Sequence, residues 1–384
     1  MAKNIVLCCD GTANEFSDHN TNVVKLYSTL VHDPVRQITY YHPGLGTMEP
    51  AGALTTFSRK ITKLLGMALG YGLAKDIRDV YVFLMQTFEI GDRVFLFGFS
   101  RGAYTVRAVA SLLHMYGLIR PGNEPLVPYA IRMMTGINRA NQNSVKQREA
   151  AARYFELARE FKLTMSRVDC MPWFVGVWDT VSSVGWIENP LKLPYVTNNP
   201  DIQIGRHAIA IDERRAFFRN HLWRQPDDPS ALYGPKNVKQ VWFPGVHCDV
   251  GGGYSESECG LSKVALEWML VEATVAGLLV DSGKQAEILG QTTGSSRYAP
   301  PDPTGKLHES LTGAWNLAEF VLRRRYDWKT CKEKRSMNLY RRRTIPPNSL
   351  IHSSAYLRGG AYSDRLPPDA VPTSTSDTHE GSGE

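Results

Sequence analysis

The chain has 384 residues, 43% of them hydrophobic and 21% charged, and a formal net charge of +6. This length and composition fit a large globular domain and exclude a chain that is mostly disordered or fibrous. The charge is mild and no recognition motif accompanies the arginine-rich stretches, so we expect no nucleic acid as a partner.

Cysteine usage and hydropathy indicate a reducing compartment and no membrane span. The six cysteines form no C-x-x-C pair, and Cys8 and Cys9 are adjacent within an apolar run, which is typical of buried free thiols. No run approaches the roughly 18 apolar residues of a membrane-spanning helix. Because no secretory signal precedes the first strand, we expect a soluble cytoplasmic protein, with export by a route that needs no cleaved signal as the alternative.

Strand and helix patterns alternate along most of the chain, as in a parallel sheet with helices on both faces. In chain order, we predict a strand at 4–9, a helix at 22–31, a strand at 37–41, a helix at 74–88, a strand at 94–97, a helix at 103–113, strands at 173–178, 207–211 and 240–246, and a helix at 261–273. The sequence therefore predicts the α/β class with a mostly parallel sheet.

Residues 1–360 are predicted to form one domain, followed by a disordered tail at 361–384 that is rich in Ser, Thr, Pro, Gly and acidic residues. Residues 117–165 have a mostly helical pattern and form a helical insertion that is a candidate lid. An irregular basic segment covers about 280–345. Its Arg- and Lys-rich stretches fit either a solvated face or a peripheral contact with phospholipid headgroups.

The most informative motif is Gly98-Phe99-Ser100-Arg101-Gly102, which directly follows the apolar run Val94–Phe97 and precedes a helical pattern. A G-x-S-x-G between a buried strand and a helix is the nucleophile elbow of α/β-hydrolases. The serine there adopts a strained backbone conformation, and the glycines leave room for the strand and helix that meet. The motif predicts an α/β-hydrolase fold with Ser100 as the catalytic nucleophile.

A serine nucleophile needs a base and an acid that orients the base, and in α/β-hydrolases the acid precedes the histidine along the chain. His247 follows the last clear strand and is the candidate base. Asp179 and Asp212 each follow a strand between Ser100 and His247, and the spacing alone does not choose between them as the acid. Asp249 is a weaker candidate, because a residue two after the base is better placed to cap the turn.

The reaction also needs backbone N–H donors for the oxyanion. We expect one donor from Arg101, which follows the nucleophile, and the second from the loop after the first strand, at Gly11 and Thr12. Asp10 would orient this loop or contact polar substrate groups, although the loop also fits a simple tight turn. No His or Cys spacing supports a metal site, and a serine hydrolase cycle needs no organic cofactor, so we expect neither.

Several of these motifs together resemble the DUF2235 family, which includes the catalytic domain of type VI secretion phospholipase effectors of the Tle1 type. The resemblance runs from about residue 3 to residue 275 and is carried by Cys9–Asn14, Asn22-Val23, Gly46, Gly98–Ala103, Trp178–Val181, His207–Arg214 and Trp242–Tyr254, with a looser match at Ile351–Ser354. It implies an α/β-hydrolase fold and a Ser-Asp-His triad that hydrolyses phospholipid acyl esters. On the matching positions, the nucleophile falls on Ser100, the acid on Asp179 and the base on His247.

The sequence therefore predicts a serine hydrolase that cleaves carboxylic esters, first of all the acyl esters of phospholipids. The resemblance also implies membrane-anchoring insertions in the larger effectors, and this chain has only short insertions. Two alternatives follow. One is an esterase or thioesterase that acts on a substrate other than a phospholipid, and the other is a hydrolase-like binding module without catalytic activity.

Overall fold

The computed structural model of the chain describes residues 2–11, 19–44, 61–140, 145–181, 185–186, 189–190, 193–223, 234–292, 297–313, 315–327 and 332–375. The strands are β1 (Asn4–Cys9), β2 (Gln37–His42), β3 (Arg93–Phe99), β4 (Leu118–Ile119), β5 (Ser166–Val168), β6 (Pro172–Trp178), β7 (Gly185–Trp186), β8 (Asn189–Pro190), β9 (Ile204–Ala210), β10 (Asn237–Phe243), β11 (Arg323–Asp327), β12 (Lys332–Ser336), β13 (Leu350–His352) and β14 (Val371–Thr373). The helices are α1 (Asn22–Thr29), α2 (Ile61–Thr87), α3 (Arg101–Tyr116), α4 (Val127–Ala140), α5 (Val145–Met165), α6 (His247–Gly251), α7 (Gly260–Val275), α8 (Ser282–Ile288), α9 (Trp315–Ala318), α10 (Ser353–Tyr356) and α11 (Gly360–Ser363).

The core of the fold is an eight-stranded sheet in the order β14-β13-β10-β9-β6-β3-β1-β2. Every neighbouring pair in it is parallel. Parallel strands buried on both faces require apolar side chains on both sides, which explains the continuous apolar run Val94–Phe97 in β3. The prediction of an α/β fold with a mostly parallel sheet is confirmed.

Helices cover both faces of this sheet, and alternate strand residues point to opposite layers. In β1, Ile5 and Leu7 pack with α2, α3 and α4, whereas Val6 and Cys8 pack with α1 and α7. All carboxyl ends of the sheet strands lie along one edge, because the strands are parallel. The loops that follow β1, β3, β6, β9 and β10 are therefore gathered at that edge, and they contain the candidate site.

The helical insertion predicted at 117–165 contains α4 and α5, which pack on α2 and α3. Among its side chains, Val127, Ala130, Met134 and Ala158 are buried in the same apolar cluster as α3. These residues attach the described part of the insertion to the core. Its role as a lid stays a prediction.

The structure differs from the predicted disordered tail over residues 361–375. This stretch forms the end of α11 and the edge strand β14, which pairs in parallel with β13. Leu366 is 8% exposed and belongs to a third apolar cluster, and the Tyr362 hydroxyl donates a hydrogen bond of 2.6 Å to Asp212. One buried leucine, two partly buried apolar side chains (Tyr362 and Ala370) and polar contacts with Asp212 therefore hold a stretch whose composition suggests disorder. Residues 376–384 lie outside the described part of the chain.

The irregular basic segment predicted at 280–345 also contains regular structure. It includes α8, α9 and an antiparallel hairpin of β11 and β12.

Among the residues that the structure describes, no helix combines the length and the apolar character needed to cross a membrane.

Close backbone contact joins β1, β3 and the start of α3. A Cβ atom added at Gly102 would lie 2.1 Å from the carbonyl oxygen of Cys9 and 2.5 Å from that of Asp10. One added at Gly98 would lie 2.6 Å from the carbonyl oxygen of Gly102. Because backbone atoms surround both positions, no side-chain movement can relieve the overlap. The two glycines of the G-x-S-x-G motif are thus required by packing.

We predict that Gly102→Ala lowers the free energy of unfolding by about 3 kcal/mol, because the new methyl group overlaps the end of β1. Gly283→Ala is the matched control, since its Cβ would meet only the Asp281 side chain at 3.3 Å and its position is helical. We expect the control to be neutral or stabilising by up to about 1 kcal/mol. Urea denaturation of both variants measures the difference, and equal stabilities would contradict the packing argument.

Candidate active site

Ser100 has the backbone conformation expected of a nucleophile elbow. It lies between the end of β3 and the first residue of α3, with φ at +56° and ψ at −118°. A non-glycine residue rarely adopts a positive φ, and such strain is concentrated at functional sites. The Ser100 N–H donates to the Trp178 carbonyl oxygen at 3.1 Å, which ties the elbow to the end of the neighbouring strand β6.

Asp179 and His247 form a buried hydrogen-bonded pair. Asp179 follows β6 and is fully buried, and His247 is the first residue of α6 and is 4% exposed. The His247 Nδ1 atom lies 2.5 Å from Asp179 Oδ2. This contact fixes the imidazole by its Nδ1 side, so the opposite nitrogen, Nε2, faces away from the aspartate. The two residues are 68 positions apart in the sequence, and the parallel sheet brings them together.

Two contacts place Ser100 beside this pair. The serine follows Phe99, whose ring centroid lies 4.5 Å from that of His247. The Ser100 N–H is bound to Trp178, the residue before Asp179. The elbow, the aspartate and the histidine therefore occupy adjacent positions at the carboxyl edge of β3 and β6.

Aromatic rings hold the imidazole of His247 from two directions. Phe99 lies at 4.5 Å with a tilted geometry, and Phe218 lies at 4.9 Å with its edge toward the histidine. The backbone N–H of His247 donates to Glu213 at 3.2 Å, and Arg215 binds the same carboxylate. Burial by itself raises the pKa of Glu213, but the hydrogen bond and charge of Arg215 lower it to about 2. Glu213 is therefore an anion that anchors the start of α6.

The carboxylate of Asp179 has a partner that the sequence did not predict. Arg343 makes a two-point contact with it, at 2.5 Å from Nη1 to Oδ1 and at 3.0 Å from Nη2 to Oδ2. The backbone N–H of Ala210 adds a bond of 3.0 Å to Oδ1. Burial alone would raise the pKa of Asp179, but the charge of Arg343 and the hydrogen bond from His247 hold it well below its usual range. Asp179 therefore remains an anion.

The sequence offered no signal for Arg343, because it lies in a run with Arg341 and Arg342 and these three residues are chemically alike. In the structure Arg341 is exposed and the Arg342 side chain is 49% exposed, whereas that of Arg343 is 5% exposed. The hypothesis of a solvated basic face is therefore wrong at Arg343, because its guanidinium is paired with the buried carboxylate of Asp179.

Asp212, the alternative acid, contacts the loop before His247 and the C-terminal segment. Its carboxylate accepts from the Gly245 N–H at 2.8 Å and from the Tyr362 hydroxyl at 2.6 Å, and it lies 2.9 Å from Arg365. These partners make Asp212 an anchor for the loop before His247 and for the C-terminal segment.

Asp249, the weaker third candidate, caps the turn before α6. It accepts from the backbone N–H of Val246 at 3.0 Å and lies 2.6 Å from the Nδ1 atom of His308. Burial raises the pKa of Asp249. Its contacts match the capping role that its position after His247 suggested.

The expected oxyanion loop follows β1. Asp10 is buried, and its carboxylate accepts from the Thr21 hydroxyl at 2.6 Å and from the Tyr41 hydroxyl at 2.9 Å. It also accepts from the N–H of Gly11 at 2.6 Å, so this expected oxyanion donor is bound to an internal acceptor. Thr12 lies outside the described residues. Asp10 orients the loop, and Gly11 would serve the oxyanion only after its N–H turns away from Asp10.

Arg101, the other expected oxyanion donor, is the first residue of α3. The N–H groups in the first turn of a helix have no acceptor within the helix and carry its positive end. Burial lowers the pKa of the Arg101 side chain to about 10, with Asp76 acting in the opposite direction. In the part of the chain that the structure describes, no group of three or more His, Cys, Asp and Glu side chains is arranged to hold a metal ion.

Residues 3–272 match the family model described as the catalytic domain of Tle1-like phospholipase effectors of type VI secretion. The uncharacterized protein YEL023C of Saccharomyces cerevisiae is 36% identical over 403 residues, which covers 73% of this chain and 58% of the yeast protein. A solved structure of the Tle1 effector bound to the VgrG spike from the type VI secretion system is 16% identical, with a TM-score of 0.38, and the match covers 75% of this chain and 62% of that chain. The chain thus spans less than two thirds of the length of both relatives.

We predict that the Nδ1 proton of His247 gives a strongly downfield proton resonance, because it is held in a short bond to a buried carboxylate. Asp179→Asn removes this charged acceptor and should abolish the resonance, whereas Asp212→Asn should leave it in place. Proton NMR of the two variants, with His247→Asn to assign the signal, measures the effect. Loss of the signal in Asp212→Asn but not in Asp179→Asn would reverse the assignment.

Proposed function

Because the chain belongs to the family of Tle1-like phospholipase catalytic domains, we propose that it is a serine hydrolase that cleaves the acyl esters of phospholipids. The observation that carries the proposal is the buried Asp179–His247 pair at 2.5 Å, next to a serine with a φ of +56°. Strain at a nucleophile elbow and an aspartate on the Nδ1 side of a histidine together serve serine acyl transfer.

In the first half of the cycle, the Ser100 hydroxyl attacks the acyl carbonyl carbon and gives its proton to His247 Nε2. The imidazolium that forms is stabilised by Asp179, which stays ionised because Arg343 and the Ala210 N–H also hold it. His247 then passes the proton to the leaving alkoxide of the glycerol backbone. The products of this half are an ester on Ser100 and a free lysophospholipid.

In the second half, a water molecule attacks the acyl-enzyme. His247 takes a proton from that water, and the collapse of the second tetrahedral intermediate returns the proton to Ser100 and releases the fatty acid. The Arg101 N–H at the start of α3 is the first donor for both oxyanions. The second comes from the loop of Gly11 and Thr12, where the Gly11 N–H must first turn away from Asp10. Side chains and water complete the cycle without a cofactor.

We further propose that the surface around α9 and the β11–β12 hairpin contacts the lipid surface. Exposed apolar side chains are concentrated there, namely Trp315 at 36%, Phe320 at 53%, Leu322 at 56%, Met337 at 37%, Leu339 at 45% and Tyr340 at 41%. The sequence between them contains Arg-Arg-Arg-Tyr-Asp and Lys-Glu-Lys-Arg-Ser. Exposed apolar side chains within a basic stretch of sequence fit the boundary of an anionic membrane.

This surface also adjoins the active site. Trp315 packs against Phe218 at 5.3 Å between ring centroids, and Phe218 packs against His247. The Arg215 guanidinium lies over the Phe218 ring at 3.4 Å and over the Trp315 ring at 5.3 Å. A lipid bound at Trp315 would therefore be connected to His247 through two ring contacts, from Trp315 to Phe218 and from Phe218 to His247.

We predict that the protein releases fatty acid from phospholipid vesicles and reacts with a fluorophosphonate probe, and that Ser100→Ala abolishes both. Asp179→Asn should lower kcat by roughly 10⁴-fold while the fold is retained, because the histidine loses its orienting acceptor. Asp212→Asn, the other strand-end aspartate, is the matched control and should keep activity within about tenfold if it folds normally. Quantifying fatty acid and probe labelling measures these effects.

The outcomes separate the three functional hypotheses. Labelling of Ser100 with hydrolysis only of short soluble esters or thioesters would replace the phospholipase proposal with the esterase alternative. A folded wild-type protein that neither labels nor hydrolyses any ester would favour the binding module.

We predict that the double variant Phe320→Ser, Leu322→Ser weakens binding to vesicles of phosphatidylglycerol and phosphatidylcholine by at least about tenfold, since two apolar contacts are lost. The matched control is Ile90→Ser, Val275→Ser, which removes side chains that are 85% and 60% exposed elsewhere on the protein. Vesicle co-sedimentation gives the affinities, and turnover of a soluble ester should be unchanged in both variants. Equal binding by the two double variants would exclude this surface.

A further inference from the structure

Arg343 completes a network around the proposed catalytic pair. Its guanidinium contacts both oxygens of Asp179, and it also donates to the carbonyl oxygens of Ala210 and Phe218. The Phe218 bond is also made from Nε, at 3.1 Å. Arginine presents its N–H groups in a planar fork, which suits such simultaneous contacts. One side chain thus binds the acid and the backbone of the residue whose ring packs on His247.

The Asp179 carboxylate is shared between Arg343 and His247. Oδ1 accepts from Arg343 and from the Ala210 N–H, and Oδ2 is shared by Arg343 and His247. A carboxylate fixed at both oxygens cannot rotate, so Oδ2 stays directed at the imidazole. If Arg343 were absent, the carboxylate would be held by one backbone bond besides the histidine.

Charge acts in addition to geometry. The charged and titratable groups that surround His247 are Asp179 after β6, Glu213 and Arg215 after β9, Cys248 and Asp249 on α6, and Arg343 before β13. Arg215 is paired with Glu213, whereas the guanidinium of Arg343 contacts Asp179 itself. The positive charge of Arg343 lowers the pKa of Asp179, so the carboxylate opposite the imidazole stays ionised.

We infer that Arg343 is a positioning residue for the proposed reaction, which orients Asp179 and the Phe218 ring against His247 and so holds the imidazole in place to accept the serine proton. This inference rests on the proposed function. It gives one arginine of the basic segment a defined role, separate from the lipid contact that its neighbours are proposed to make.

The test compares Arg343→Met and Arg343→Lys with Arg341→Met, a matched change at an exposed arginine in the same run. The readouts are kcat and KM on a soluble ester, which does not depend on membrane binding, and the downfield proton resonance of the His247 Nδ1 proton. For Arg343→Met, we expect kcat to fall at least about tenfold with KM little changed, and the resonance to move upfield or broaden, because the carboxylate that holds the proton is no longer fixed. Arg343→Lys keeps the charge but loses the fork, so we expect kcat to fall in that variant too. Arg341→Met should change neither readout.

A structural role alone would lower the yield or stability of the variants but would leave the kcat of the folded protein and the resonance unchanged. Wild-type kcat and an unmoved resonance in Arg343→Met, with native circular dichroism, would therefore overturn the inference. If Arg343→Met does not fold, Arg343→Lys decides: wild-type kcat in that variant would also overturn it, because the fork would then be dispensable.

A measurement without turnover keeps this test independent of the proposed function. In the Ser100→Ala background, the resonance of the His247 Nδ1 proton should move upfield or broaden when Arg343→Met is added. If the wild-type protein hydrolyses no ester, the proposed function fails, and the resonance still decides whether Arg343 positions Asp179 against His247. If hydrolysis depends on Ser100 but neither kcat nor the resonance changes, only the inference fails.

Discussion

The Asp179 carboxylate has no contact with solvent, and a charge removed from water must be surrounded by donors that replace its hydration. Those donors come from the end of β9, from the start of α6 and from the segment before β13. Each of these parts of the chain is in turn fixed by the parallel sheet. The geometry around Ser100 therefore depends on one buried charge and on the long-range contacts that stabilise it.

Crowding of the backbone is the complementary constraint at the same edge. The end of β1, the end of β3 and the start of α3 approach so closely that only glycine fits at positions 98 and 102. This packing holds the serine at the tip of the elbow while its amide is bound to β6. The site thus combines a tightly packed backbone around Ser100 with an electrostatic network around Asp179 and His247.

The sequence was sufficient for the elements whose residues carry a local pattern. The strands β1, β3, β6, β9 and β10 are apolar runs that end at polar residues, and the parallel fold then gathers those residues at one edge, as predicted. Three-residue strands such as β13 and β14 are too short to show the alternating hydrophobic pattern that identifies a strand. Arg343 was missed for a related reason: its burial is decided by a carboxylate 164 positions away, and no local feature separates it from Arg342. The sequence pattern also could not distinguish Asp179 from Asp212, because both follow strands and only their distant partners differ.

The position of Arg343 also bears on how much of the chain makes up the physical unit. The family match ends at residue 272, whereas the guanidinium that neutralises Asp179 and the strands that cover the edge of β10 come later. A fragment cut at residue 272 would hold every residue of the proposed triad and still carry a buried carboxylate without its cation and an unpaired strand edge. During synthesis, the acid and the histidine are likewise made before the arginine, so their final environment forms only when the last part of the chain has left the ribosome. The part of the chain that the family model matches is thus shorter than the part that supplies all contacts of the candidate active site.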